Sequence, residues 1–184
     1  MKATMVLMQE HRVIERMILV IEIAAKELED GKAIRPGLFL EAAQFFKGFA
    51  DGCHHRKEEG VLFKAMEAHG VPVEGGPIQV MLKEHEQGRM LTRGLHVAAT
   101  WLETGDGRAI PEVVRFSNGY AALLRQHIQK EDRILFPMAD EVIPRQKYDE
   151  IWDGFEHVEH EETGEGVHEK YLEMVDRLEA EIGG

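Results

Sequence analysis

Residues 5–28 read MVLMQEHRVIERMILVIEIAAKEL, and the spacing of their apolar members decides the fold. Leu7, His11, Ile14, Ile18, Ile21, Ala25 and Leu28 recur at steps of four and three, which is the seam of a helix packed in a bundle. A histidine stands inside that seam. Gly31 stops this helix, and Pro36 suits the first turn of a second, which carries Phe39, Phe46, Ala50, His54, Glu58, Val61, Leu62 and Ala65 inward. Gly70 and the stretch VPVEGG close it. Pro77 opens a third helix with Ile78, Met81, His85, Leu95, Ala99 and Leu102 facing in, up to the turn Gly105, Asp106, Gly107,. A fourth starts near Pro111 and follows Val113, Phe116, Tyr120, Leu123, His127, Glu131, Ile134 and Met138, with Pro137 expected to kink or end it,.

No stretch alternates with the period of a strand, so the expected class is all-α: an antiparallel up-and-down four-helix bundle over residues 1–143. Residues 144–184 read as an acidic C-terminal extension of one or two helices, divided near Gly164 and Gly166. Ile151, Trp152, Phe155, Tyr171, Leu172, Val175 and Leu178 are its docking positions, and it should pack outside the bundle,.

The chain of 184 residues suits one core,. With 22 Lys and Arg against 34 Asp and Glu, its net charge of -12 repels phosphate backbones and anionic lipid, so nucleic acid and membrane are not expected partners. No apolar run reaches the ~18 residues of a membrane span, and the start turns charged before a secretory segment forms, so a cytoplasmic location is expected. A lone cysteine, Cys53, builds neither a disulfide framework nor a thiolate cluster,. Any metal here takes nitrogen and oxygen ligands.

Residues 54–63 read HHRKEEGVLF and residues 127–136 read HIQKEDRILF; Glu10 and His11 recur as Glu84 and His85. The second hairpin therefore repeats the first. His54 with Glu58, and His127 with Glu131, lie one turn apart on a helix face, and His11 and His85 add one imidazole each. Four imidazoles and two carboxylates would converge in the core, a donor set suited to two divalent first-row ions bridged by carboxylates. Without cations, burying both carboxylates would cost several kcal/mol each.

These motifs resemble those of the hemerythrin family, in its bacterial HHE cation-binding branch, over residues 5–140. The resemblance implies a hemerythrin-like bundle with a non-haem pair of iron ions, bridging carboxylates, and an open position for a small ligand such as dioxygen. The choice of iron over manganese comes from this resemblance alone. Oxygen-carrying members have a second histidine one turn after the one in the third helix, where this chain has Arg89. His55 aligns with an extra ligand of eukaryotic iron-sensing relatives; the alternative is a place behind the ligands or on the surface. Carriers would take Asp132 as the second bridging acid, whereas the internal repeat favours Glu131. The ligand set expected is His11, His54, His55, Glu58, His85, His127 and Glu131.

Glu15 and Glu86 stand beside the site histidines as groups that could orient a ligand or bind metal, with a solvated face the first reading for Glu86. Arg89 has no assigned role, Tyr120 reads as a core tyrosine with lining of the small-ligand pocket as the alternative, and Cys53 reads as a small buried filler. His157, His160 and His168 read as solvated. The leading function is binding or sensing of dioxygen, nitric oxide or peroxide at two Fe ions. The alternatives are a peroxidase-like, catalase-like or oxidase enzyme, or an iron-handling protein; ferritin-like storage proteins would supply Glu-x-x-His pairs, whereas the ligand pairs here read His-x-x-x-Glu,. The tail is a candidate surface for homo-oligomer formation, and the redox partner is not legible.

Overall fold

Apolar positions every three or four residues drive the chain into long helices that bury their seams against one another. A computed structural model describes residues 2–164 and 166–183, with no strand among them. The helical runs are α1 (Thr4–Glu29), α2 (36–68), α3 (Pro77–Glu103), α4 (110–142), α5 (148–164) and α6 (Val167–Gly183). Runs α1 to α4 close a ring: α4 packs on α1 and α3, α3 packs on α2, and α2 returns to α1. The all-helical bundle is as expected. Among the described residues the helical runs number six because the stretch beyond residue 144 forms two.

The stops were legible because they need a left-handed residue. Gly31, Gly70 and Gly105 take φ of 80°, 94° and 87°. Each is followed by an amide that reaches back to the last turn: Lys32 to the Glu27 carbonyl at 2.9 Å, Val71 to Met66 at 3.0 Å, and Asp106 to Trp101 at 3.2 Å.

What the periodicity did not reveal is a set of wide turns. In α2 the backbone runs as π-helix over Phe46–His55 and Glu58–Leu62; in α4 it does so over Glu131–Leu135. The Phe63 amide donates to the Glu58 carbonyl and the Phe136 amide to that of Glu131, five residues back in each case,. The wider turn shifts the inward face by one position. Ile134, expected inside, is exposed, and Leu135 and Phe136 fill the core instead. Val61 and Ala65 are half-buried, while Leu62, Phe63 and Met66 are buried. Pro137 does not end α4, which continues to Val142 beyond the wide turn.

The interior divides into two apolar clusters. One gathers Ile14, Ile18, Phe46, Leu95, Val113 and Leu124; the other gathers Leu7, Leu62, Phe63, Met81, Leu135 and Phe136. A layer of buried histidine, glutamate and lysine lies between them in sequence along every helix of the ring. Runs α5 and α6 lie against this bundle, Ile151 and Phe155 joining the second cluster and Val175 and Leu178 the first. Two glycines permit that approach: a Cβ on Gly48 would meet the Tyr171 hydroxyl at 1.7 Å, and one on Gly154 would meet Val61 at 2.8 Å.

Candidate metal centre

Each of the four ring helices brings polar side chains to the layer between the clusters. His11 comes from α1, His54, His55 and Glu58 from α2, His85 from α3, and His127 and Glu131 from α4; all seven are buried. Two groups of donor atoms form, each within 4.8 Å: His11, His54, Glu58 and Glu131 in one, and His55, Glu58, His85 and His127 in the other. Glu58 belongs to both. Glu131 also approaches both, its carboxylate lying 3.1 Å from His11 Nε2 and 3.2 Å from His127 Nε2. The layer thus has two centres with two carboxylates between them.

The outward edges of the imidazoles are held by a matching ring of acids. His54 Nδ1 donates to Glu10 at 2.8 Å and His127 Nδ1 to Glu84 at 2.9 Å, both within their own hairpins. His11 Nδ1 donates to Asp132 at 2.7 Å and His85 Nδ1 to Glu59 at 2.7 Å, both across hairpins. The repeat that relates residues 54–63 to 127–136 relates these four contacts in pairs. An ionised carboxylate only accepts, so each Nδ1 carries a proton, and the neutral form of each ring turns an Nε2 lone pair inward.

The inner atoms lack partners. His11 Nε2, His54 Nε2, both ring nitrogens of His55, and all four carboxylate oxygens of Glu58 and Glu131 are buried without a hydrogen bond. Buried polar atoms are almost always paired, so this many orphans aimed at two points fits a pair of cations.

The electrostatics agree. Burial and the charge of Glu131 push the Glu58 carboxyl up, whereas Glu131 is drawn down, against its burial, by His127 and His11. Burial pulls His54 down, but Glu58 and Glu10 overcome it and hold the imidazole at about 10; His127 is likewise held at about 10 by Glu131 and Glu84. Burial pushes His55 down to about 4, and it pushes His85 down too, with His55 and His127 adding to the effect. Glu10, opposed by burial, is drawn to about 2 by His54 and Lys57. In metal-free protein, protons on His54 and His127 supply positive charge that the two glutamates require.

The family model of the hemerythrin HHE cation-binding domain matches residues 3–139. The chain belongs to that family. It is also similar to an uncharacterized protein of Mycobacterium bovis and to two from strains of Mycobacterium tuberculosis, each 26% identical over 178 residues, covering 96% of this chain and 69% of the relative. No solved structure gives a significant match. Membership in the hemerythrin HHE family and the buried His and Glu groups together mark a cation-binding protein.

Against the HHE motif, this chain breaks its own two-fold repeat at one inner position. Where the first hairpin has His55, the second has buried Ile128. His55 stacks on His85, ring centroids 3.9 Å apart and 12° from parallel. Its Nδ1 lies 3.5 Å from Asp51. Arg89 stays outside the donor groups and ties the acids behind two of them, donating to Asp51 at 2.8 Å and Glu59 at 2.6 Å. Asp132 is held behind His11 by Arg12, while Glu131 takes the inner place.

Glu15 pairs with Arg12 and Glu86 with Arg93, both away from the donor groups. His160 is exposed beside Glu156. His168, expected in solvent, is half-buried with its ring edge-on to Phe49 at 5.0 Å. It joins Glu10, Cys53 and Glu159 in a third grouping, but the buried Lys57 ammonium already lies 2.6 Å from both Glu10 and Glu159. Burial pushes the neighbouring Cys53 thiol up to about 11. Sequence reading saw Glu10 and Glu84 recur without seeing their role, because hydrogen bonds between helices leave no trace in the spacing along one helix. No helix among the described residues is long and apolar enough to cross a membrane.

Proposed function

We propose that this hemerythrin-like protein holds two iron ions and binds or senses a small oxidant, dioxygen, nitric oxide or peroxide. His11 and His54 would serve one ion, His55, His85 and His127 the other, with Glu58 and Glu131 bridging. The observation that carries this reading is the sharing of Glu58 between two donor groups. When bound, an iron pair supplies one-electron redox steps and a coordination position for a small ligand.

The protein's own part is to hold that set through a change of charge. Glu58 and Glu131 balance the cations, and the acids Glu10, Glu59, Glu84 and Asp132 fix the imidazole tautomers,. Leu7, Phe63 and Phe136, all buried, exclude bulk water on one side, while Phe46, Tyr120 and His55 line the inner end of an open groove on the other,. An ion held by His11 and His54 would have one fewer nitrogen donor than its neighbour and would offer the place for the small ligand.

Anaerobic reconstitution with ferrous iron, followed by oxygen, tests the proposal through iron stoichiometry and the visible spectrum. About two irons per chain and reversible bands are expected. Glu58→Ala is expected to lose both ions, since both groups use it, whereas His11→Ala should lower the count toward about one. Full occupancy in Glu58→Ala would remove that residue from the ligand set. Rapid peroxide loss with irreversible oxidation would favour the enzymatic alternative, to which a wide groove ending at His55 lends support.

A further inference from the structure

Between α2 and α3 a groove of about 740 Å³ descends to the metal layer. Its floor is formed by His55, Phe46 and Tyr120, all buried; its rim carries Lys47, Arg93 and His96, all exposed. A diatomic ligand needs a small fraction of this space. Clefts of ~300–1,000 Å³ are the size that encloses organic molecules. We propose that the groove is a binding site for a small organic anion, a carboxylate with an apolar body.

The walls define the body of that ligand. Leu40, Ala43 and Val97 line the sides above the Phe46 and Tyr120 rings, so burying hydrocarbon there releases water from apolar surface on both partners. At the inner end His55 keeps both ring nitrogens without a hydrogen bond although it is buried. A ligand filling the groove reaches that ring, and through it the metal layer.

The charges define the head. Two acids line the groove, and both are already matched: Glu41 by Arg35 at 2.8 Å and Arg177 at 2.6 Å, and Asp51 by Arg89 at 2.8 Å. Lys47 makes no ion pair among the described contacts, and Arg93 has only the exposed Glu86 at 3.2 Å. Lys47 therefore leaves one positive charge unmatched at the rim, and Arg93 is matched only by an exposed acid, in a chain whose net charge is -12. Such a local reversal of sign attracts an anion and repels a cation. A nucleic acid long enough to span the rim would meet the acidic remainder of the surface.

The groove is formed by side chains and stands with or without iron, but its floor shares His55 with the proposed metal site, so binding is measured in both forms. Isothermal titration calorimetry of the full chain, metal-free and iron-loaded, with octanoate as the probe and octanol as the uncharged control, tests it. Saturable one-to-one octanoate binding is expected in both forms, with octanol binding more weakly. Lys47→Glu with Arg93→Glu, both on the exposed rim and safe for folding, should weaken octanoate by about tenfold and leave octanol unchanged. Equal affinity for octanoate and octanol, unchanged octanoate affinity in the double variant, or a groove found covered by a second copy of the chain would each overturn the proposal. Iron stoichiometry, measured without octanoate, stands or falls separately.

Discussion

The Nε2 atoms of His85 and His127 face each other at 3.1 Å, while the Nδ1 of each donates to a carboxylate, Glu59 and Glu84. Both outer nitrogens being donors, the inner pair is two lone pairs in contact unless a proton or a cation lies between them. In metal-free protein the proton on His127 fills that place; a metal cation that both nitrogens can bind displaces it and binds only the folded state. Added ferrous iron should therefore raise the melting temperature, with stabilisation of ~2.7 kcal/mol at a hundredfold excess over the dissociation constant. Differential scanning fluorimetry under anaerobic conditions reads the shift, and His127→Ala should reduce it. An unchanged melting temperature with ferrous, manganous and zinc ions would sink the two-centre reading.

Arg89 stands where oxygen carriers have a ligand, yet its guanidinium bridges Asp51 and Glu59, the acids behind His55 and His85. Its effect on metal binding should run through the orientation of those two rings. Arg89→Ala is expected to weaken iron binding ~10–100-fold, as loss of such outer partners does, with little change in the circular dichroism of the fold. Arg89→Lys should recover only part, since one ammonium cannot span both acids as the guanidinium fork does. Wild-type affinity in Arg89→Ala would make the arginine a surface residue only.

The seams and stops were legible because each follows from local chemistry: a period near 3.6 for the apolar faces, and a left-handed glycine at the ends of α1, α2 and α3. Burial of the six symmetric histidines and glutamates was legible because a polar residue on an apolar seam is expensive, and the repeat supplied that anomaly twice. Burial of His55 was not, since in an α-helix it points about 100° away from His54; the π turns of α2, which have no compositional signature, bring both inside. The same widening exposes Ile134 and buries Leu135. Pairs such as His11 with Asp132 join residues 121 apart in sequence, beyond any pattern along one helix.

Lys57 and Lys130 occupy equivalent places in the repeat but different surroundings. Lys57 is fully buried between Glu10 and Glu159, at 2.6 Å from each, whereas the Lys130 side chain is 35% exposed beside Glu84. Removing the first cation leaves the buried Glu10 carboxylate and the partly exposed Glu159 without the ammonium between them; removing the second leaves Glu84 short of a cation that was itself in contact with water. Lys57→Met should cost ~3–5 kcal/mol and Lys130→Met ~1 kcal/mol or less, read by urea unfolding of metal-free protein. Adding Glu10→Gln and Glu159→Gln to Lys57→Met should recover part of the loss. Equal costs for the two lysines would contradict the burial difference.

Run α6 is held to the bundle by two kinds of contact, and their magnitudes rank them. Arg16 pairs with Asp176 and Glu179, Arg35 with Glu181, and Arg177 with Glu41, all on the surface. Each such pair contributes ~0–1 kcal/mol and is screened by salt. Val175 and Leu178 are fully buried beneath them, and truncating a buried leucine costs ~2–5 kcal/mol. Apolar burial therefore decides the docking. In about 1 M salt, amide hydrogen exchange of residues 167–183 should stay near its low-salt rate, whereas Leu178→Ala should expose these amides at low salt. Acid acts through Glu41: burial raises its carboxyl, but Arg35 and Arg177 hold it below the ordinary 4.5. A depressed carboxyl contributes above its unfolded value and loses that contribution as pH falls through the folded one. Any weakening of the docking through this group is thus confined to pH below about 4.5. Release of α6 by salt alone at neutral pH would show that the ion pairs, and not Val175 and Leu178, hold it.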